Sequence, residues 1–312
     1  MQEKPWNDYP AFVRQHFGQR VQKISVNTAL GCPNLDGSIS NDGCTYCNNS
    51  SFSPFYCKAD KSVRQQLQEG IAFFSKKYKA QKYLAYFQSF TNTYTSFDHF
   101  KRLTEEALAV DGVCGLVIAT RPDSITKEKV DYLNELGQRM YISLEFGVES
   151  TLDKSLKRIN RGHDFQTTTR AFEMCRNKTF RTGAHLIIGL PGENRQDFLN
   201  HTRAINKLKP HSLKLHQLQI LKNTAMAGEF KQVPDDFVTL SAKQYIQIVA
   251  DFLMLLDPDI VVERFTSESP RNLVISPDWK GLKNFEFVEQ LKKTMNTAGM
   301  WQGKAFKQNA TH

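Results

Sequence analysis

The chain has 312 residues, with 41 basic against 32 acidic side chains and a net charge of +9 at pH 7. Its 40% hydrophobic and 23% charged content is that of a globular protein, and no apolar run reaches the roughly 20 residues that cross a bilayer. The opening Met1-Gln2-Glu3-Lys4-Pro5-Trp6 lacks a secretory pattern, so a cytoplasmic location without a membrane partner is expected. Six cysteines in so long a chain are no disulfide framework, and Cys57, Cys114 and Cys175 are expected to stay reduced.

Residues 1–20 are aromatic and polar without a clear period and are expected to form an N-terminal arm over one end of the core. Val21 to Leu30 reads as a first strand. It leads into Cys32-Pro33-Asn34-Leu35-Asp36-Gly37-Ser38-Ile39-Ser40-Asn41-Asp42-Gly43-Cys44-Thr45-Tyr46-Cys47, where three thiols sit in a loop of turn-forming residues. Thiolates hold iron-sulfur clusters or zinc, and three of them on a four-iron cubane leave one iron open to a small molecule. Cys57 would complete a four-cysteine zinc site, and Cys44-x-x-Cys47 alone would suit a redox pair, so the loop leaves these alternatives open.

The following segments alternate. Ser62 to Lys79 reads as a helix, Tyr83 to Phe87 as a strand, Phe97 to Val110 as a helix and Gly115 to Thr120 as a strand. Thr126 to Leu136 is a helix and Met140 to Phe146 a strand, after which Ser150-Thr151-Leu152-Asp153 resembles a capping box opening a helical region to Arg176. Thr182 to Ile188 is a strand, Asn194 to Leu208 a helix, and Ser212 to Ile220 a strand. Such alternation implies parallel strands with helical crossovers, an α/β fold whose six strands form a barrel or partial barrel over residues 21–220. Residues 221–312 break the pattern and are expected to form a C-terminal extension covering the barrel. They hold a helix opened by Ser241 and Gln244, a short strand at Ile260 to Val262, and a helix from Phe285 to Thr297.

Chemistry in such a barrel belongs at the C-terminal strand ends. The second strand ends in Gln88, Ser89 and Asn92, and the third in Ala119-Thr120-Arg121-Pro122-Asp123. Arg121 can fork onto a carboxylate or phosphate, or simply make a salt bridge. The fourth holds Leu144-Glu145-Phe146-Gly147-Val148-Glu149-Ser150, followed by Asn160-Arg161-Gly162-His163. A carboxylate on a strand is costly to bury unpaired, which favours an inward, functional Glu145. The fifth runs from His185 to Gly189-Leu190-Pro191-Gly192. On the sixth, Lys214 and His216 share one face, toward a cavity or toward solvent.

Cys-x11-Cys-x2-Cys with Tyr46 before the last cysteine, and the Thr-Arg-Pro-Asp, Gly-Val-Glu-Ser, Asn-Arg-Gly-His and Gly-Leu-Pro-Gly segments in order, resemble the radical S-adenosylmethionine (SAM) superfamily. The likeness is to its YhcC/YtqA, Elongator-like branch and spans roughly residues 20–300, with Glu263-Arg264-Phe265 and Pro270-Arg271-Asn272 resembling that branch's tail. The resemblance implies a partial (β/α)6 TIM-type barrel and a 4Fe-4S cluster on Cys32, Cys44 and Cys47. It implies SAM contacts from Tyr46, Gln88, Ser89, Thr120, Arg121, Glu145, Glu149, Arg161 and His185. Glu149, standing where Gln is usual, would contact the SAM ribose, and Arg161 the SAM carboxylate. The Gly-Gly-Glu that many members carry after the second strand is absent. The implied activity is reductive cleavage of SAM to a 5'-deoxyadenosyl radical, with an electron donor such as flavodoxin or ferredoxin.

Positive charge, with short clusters at Lys76-Lys77-Tyr78-Lys79, Lys157-Arg158 and Lys292-Lys293, permits a polyanionic partner. With the Elongator likeness it points to tRNA, at a wobble uridine, as the expected substrate. A protein or small metabolite is the enzymatic alternative, and a noncatalytic zinc-holding RNA binder the other. No catalytic acid or base is assigned.

Overall fold

The computed structural model describes residues 4–48, 54–76 and 81–307. Helix α1 (Tyr9–Phe17) precedes six parallel strands in chain order: β1 (Val21–Val26), β2 (Lys82–Phe87), β3 (Val113–Thr120), β4 (Tyr141–Glu149), β5 (Arg181–Ile188) and β6 (Ser212–Gln217). Crossover helices are α2 (Val63–Ser75), α3 (Phe97–Leu108), α4 (Lys127–Gly137), the pair α5 (Asp153–Arg158) and α6 (Phe165–Met174), and α7 (Arg195–Leu208). The C-terminal part adds β7 (Ile220–Leu221), α8 (Ala225–Gln232), α9 (Ala242–Leu255), β8 (Val261–Arg264), β9 (Val274–Ser276) and α10 (Asn284–Thr297). Side-chain oxygens of Ser62, Ser96, Thr126, Asp164 and Asn194 cap α2, α3, α4, α6 and α7, satisfying amide donors that the helix itself leaves unpaired.

The fold is the expected partial barrel, with one addition. β8, from the segment expected to cover the barrel, pairs in parallel with β6, so the open sheet runs β1-β2-β3-β4-β5-β6-β8. Ser212 to Ile220 is not one strand. It breaks after Gln217, whose side chain bonds the backbone of Ser267, and Ile220–Leu221 turns into an antiparallel pair with β9. Ser150 does not cap α5: its hydroxyl accepts from Leu152 N and donates to Glu193 Oε1, tying the ends of β4 and β5 together. The expected helix to Lys79 is seen to Ser75, and residues 77–79, with most of the first basic cluster, lie outside the described residues.

Strand alternation separates two environments. On β2, Ala85 and Phe87 join the main core beneath the helices, whereas Leu84 and Tyr86 form a smaller cluster with Val117, Phe17, Val21 and Tyr141. Above this apolar plug lies a charged layer from four strands. Lys23 Nζ contacts Glu145 Oε1 at 3.1 Å and also Glu263 Oε1, while Lys214 Nζ contacts Glu145 Oε2 at 2.6 Å and Glu263 Oε1 at 3.1 Å. Lys23 and Glu263 belong to the two edge strands, which share no ladder, so their ion pair bridges the open side. Asp8 bridges to Val262 on the same side, and the Tyr9 ring lies 4.9 Å from Lys23 Nζ.

Burial alone would raise the carboxyls of Glu145 and Glu263, but Lys214 and Lys23 outweigh it and hold both below the ordinary carboxylate value. The stability they add is therefore fully present above about pH 4.5 and is lost as pH falls through their depressed values. Urea titrations should show stability falling steeply below about pH 4. Glu145→Ala at pH 7 should cost about 3–5 kcal/mol, because it leaves two ammoniums in the barrel sharing the single carboxylate of Glu263. Cost under about 1 kcal/mol would mean the layer is not structural.

Candidate active site

Above the charged layer, a cavity of about 550 Å³ opens at the C-terminal strand ends. Cys32, Cys44 and Cys47 all line it, with Tyr46, Glu149 and Arg161. The cysteine loop is held there by the turn after α5. Asn160, in a left-handed conformation, donates from Nδ2 to Gly43 O at 2.8 Å and Ser40 Oγ at 3.1 Å, and Thr45 N donates to Ile159 O at 3.0 Å. Asn34 Nδ2 donates to Asn160 O and lies 3.5 Å from Cys44 Sγ. Gly162 is required beside them: at φ +81, a Cβ there would stand 2.6 Å from Ile39 and 2.8 Å from Asn34 Oδ1.

Arg161 is the centre of this contact. Its Nη2 donates to Gly147 O at 2.7 Å and lies 3.7 Å from Glu149 Oε1, and its Nη1 is 3.6 Å from Cys44 Sγ. Burial works against its charge, but Tyr46, Cys44 and Glu149 around it raise its pKa further, so it stays cationic. Its Nε is buried without a partner. Glu149 is itself left-handed, at φ 63, where β4 and β5 shift register, and this turns its carboxylate toward Arg161. Burial, followed by the charge of Arg161, pushes His163 down to about 4, so this imidazole is neutral at physiological pH.

The other expected contacts divide. Gln88 and His185 line the cavity, but Gln88 Oε1 accepts from Ser25 Oγ at 2.8 Å, and His185 Nε2 pairs with Glu145 Oε2 at 3.0 Å. Thr120 lines it with its hydroxyl 2.6 Å from Thr93 Oγ1. Arg121 takes the salt-bridge alternative, forking onto Asp123 at 2.9 and 2.6 Å and bracing Arg161 O at 2.7 Å, which leaves only Nη1 unpartnered. Ser89 lies outside the lining, and Asn92 spends its amide on the carbonyls of Phe87, Ser89 and Ala119, so the β2 end is a structural knot rather than a row of polar contacts. Its neighbour Phe90, at φ 63, does face the cavity. Lys214 and His216 both line the cavity. Sequence reasoning missed Lys23, Tyr86 and Asn34, and left Glu263 and Arg264 without a role, although a charged residue inside a β-rich run was a readable signal at Lys23.

Three cysteines line the cavity, a donor set that fits a four-iron cubane with one iron left open. Cys57 is turned away from the loop, its thiol donating to Ser25 O at 2.8 Å. Among the described residues no three His, Cys, Asp or Glu side chains converge on one metal position.

Residues 36–205 match the Radical SAM superfamily and residues 210–297 the Radical_SAM C-terminal domain. The chain belongs to the radical SAM superfamily. It is an enzyme of that class, whose cofactors are a 4Fe-4S cluster and SAM. It is similar to YtqA of Bacillus subtilis strain 168, 33% identical over 304 residues, covering 97% of this chain and 94% of that protein. It is also similar to the tRNA uridine(34) acetyltransferase of Methanocaldococcus infernus, 21% identical over 188 residues, covering 59% of this chain and 34% of that protein. The archaeal Methanocaldococcus infernus Elp3 with an N-terminal deletion shares the fold, with a TM-score of 0.67 at 16% identity over 90% of this chain and 64% of that one. Among the described residues no helix is long and apolar enough to cross a membrane.

Cys57→Ser should leave anaerobically reconstituted iron at about four per chain, and Asn160→Ala should lower it, because the loop loses two anchors. Iron and sulfide analysis checks both. Loss of metal from Cys57→Ser would return the four-cysteine site.

Proposed function

We propose that the chain binds a 4Fe-4S cluster through Cys32, Cys44 and Cys47, cleaves SAM reductively, and applies the resulting radical to tRNA at a wobble uridine. The observation that carries the first part is that all three thiols line one cavity with a buried cation, Arg161, and a carboxylate, Glu149. When bound, the cluster supplies the electron that splits the SAM sulfonium to a 5'-deoxyadenosyl radical. The protein's own groups bind and orient. Arg161 offers its unpartnered Nε to the SAM carboxylate, Glu149 accepts from the ribose hydroxyls, and Tyr46 packs beside them. The apolar plug and the charged layer close the far end and keep bulk water out.

The tRNA part is supported by the net charge of +9 and by similarity to the tRNA uridine(34) acetyltransferase. Because that similarity covers 34% of the relative, its acetyl transfer is not carried over. Flavodoxin or ferredoxin suits the role of electron donor.

Reduced, reconstituted protein should bind tRNA with an affinity that falls at least about tenfold between 50 and 200 mM salt. Mass spectrometry of digested tRNA should then show a changed wobble nucleoside that depends on SAM. A flat salt dependence with unchanged nucleosides would remove tRNA as the substrate.

A further inference from the structure

The cavity continues below the level of the cysteines to the charged layer, and that floor has unused hydrogen-bonding capacity. Glu145 has partners on both oxygens: Oε1 meets Lys23, and Oε2 meets Lys214 and His185. Glu263 is not. Both of its ammonium contacts fall on Oε1, so Oε2 is a free acceptor on a residue that lines the cavity. The Tyr86 hydroxyl accepts from Lys214 Nζ at 3.2 Å and keeps its own proton to donate. Among the described residues Arg264, beside Glu263, lines the cavity with no hydrogen bond or ion pair, and the buried His216 Nε2 has no partner while Nδ1 bonds Ser267 Oγ at 2.7 Å.

These valences describe a ligand. The two lysines offset the two glutamates, so the floor has no large positive excess with which to hold a multiply charged anion. A carboxylate oxygen left open demands an N–H, and the guanidinium and phenol around it demand carbonyl oxygens. We propose that this floor is the substrate-recognition site and that Glu263 is its specificity-determining acceptor. It reads a planar N–H flanked by carbonyl oxygens, the imide edge of a uracil ring, with Arg264 and Tyr86 donating to the flanking oxygens. The assignment deepens the reading of a uridine substrate and rests on it. It also gives a function to β8, the strand that the C-terminal segment inserts into the barrel.

The test uses the reconstituted protein with SAM, titrated with uridine and N3-methyluridine, and with anticodon stem-loops carrying either base at the wobble position. Uridine should bind about tenfold or more tighter than the N3-methyl form, since methylation removes the N–H and leaves Glu263 Oε2 unmatched. Glu263→Gln should shrink that ratio about tenfold. Because Glu263 also pairs with two lysines, Arg264→Gln is measured alongside: its side chain is exposed, and it should weaken uridine and N3-methyluridine alike. Equal binding of the two nucleosides, or a ratio unchanged by Glu263→Gln, overturns the proposal. If stem-loops bind but the wobble methyl makes no difference, the recognition site is wrong and the tRNA reading stands. If uridine is discriminated while no RNA binds, recognition stands and the tRNA reading falls.

Discussion

Two lysines and two glutamates, buried or half-buried inside an open sheet, carry much of this structure. A seven-stranded parallel sheet with unjoined edges would expose unpaired backbone and admit water to its interior. Lys23 on β1 and Glu263 on β8 span that gap, and Glu145 on β4 with Lys214 on β6 extends the layer across the interior. Neutrality makes the arrangement tolerable in a low-dielectric site, since each charge meets two of opposite sign. Its position then sets the depth of the cavity. Below it, Leu84, Val117 and Phe17 fill the barrel; above it there is room for a cofactor and the reacting end of a substrate.

The upper end of the cavity is organised by one turn. Asn160, Arg161 and Gly162 leave α5 in a conformation that presents Asn160 to the cysteine loop, Arg161 to Cys44 and the end of β4, and the Arg161 carbonyl to Arg121. Arg121 and Asp123 thus act through Arg161. The Thr-Arg-Pro-Asp segment braces Arg161 and leaves only Nη1 of Arg121 unpartnered among the described residues.

Strand alternation, helix caps and the order of the motifs made the half-barrel and its cysteine loop legible in the sequence, because each is a local pattern. Glu145 was legible as inward because a strand carboxylate must find partners. Its partners were not, because Lys23, Lys214 and Glu263 lie up to 240 residues apart and meet only once the sheet curls. For the same reason the role of Asn92 on three backbone carbonyls was not legible: a polar residue at a strand end has the same signature whether it serves a cofactor or a carbonyl. β8 was legible as a strand but not as part of the barrel, since four residues carry no information about the edge they join.

The central claim is that the three cysteines serve a radical enzyme. Its most direct test is to reconstitute the protein anaerobically with iron and sulfide, add reductant and SAM, and measure 5'-deoxyadenosine. The native chain should yield the nucleoside and Cys44→Ala none. Well-loaded native protein that yields none, with zinc bound at one per chain, would contradict it.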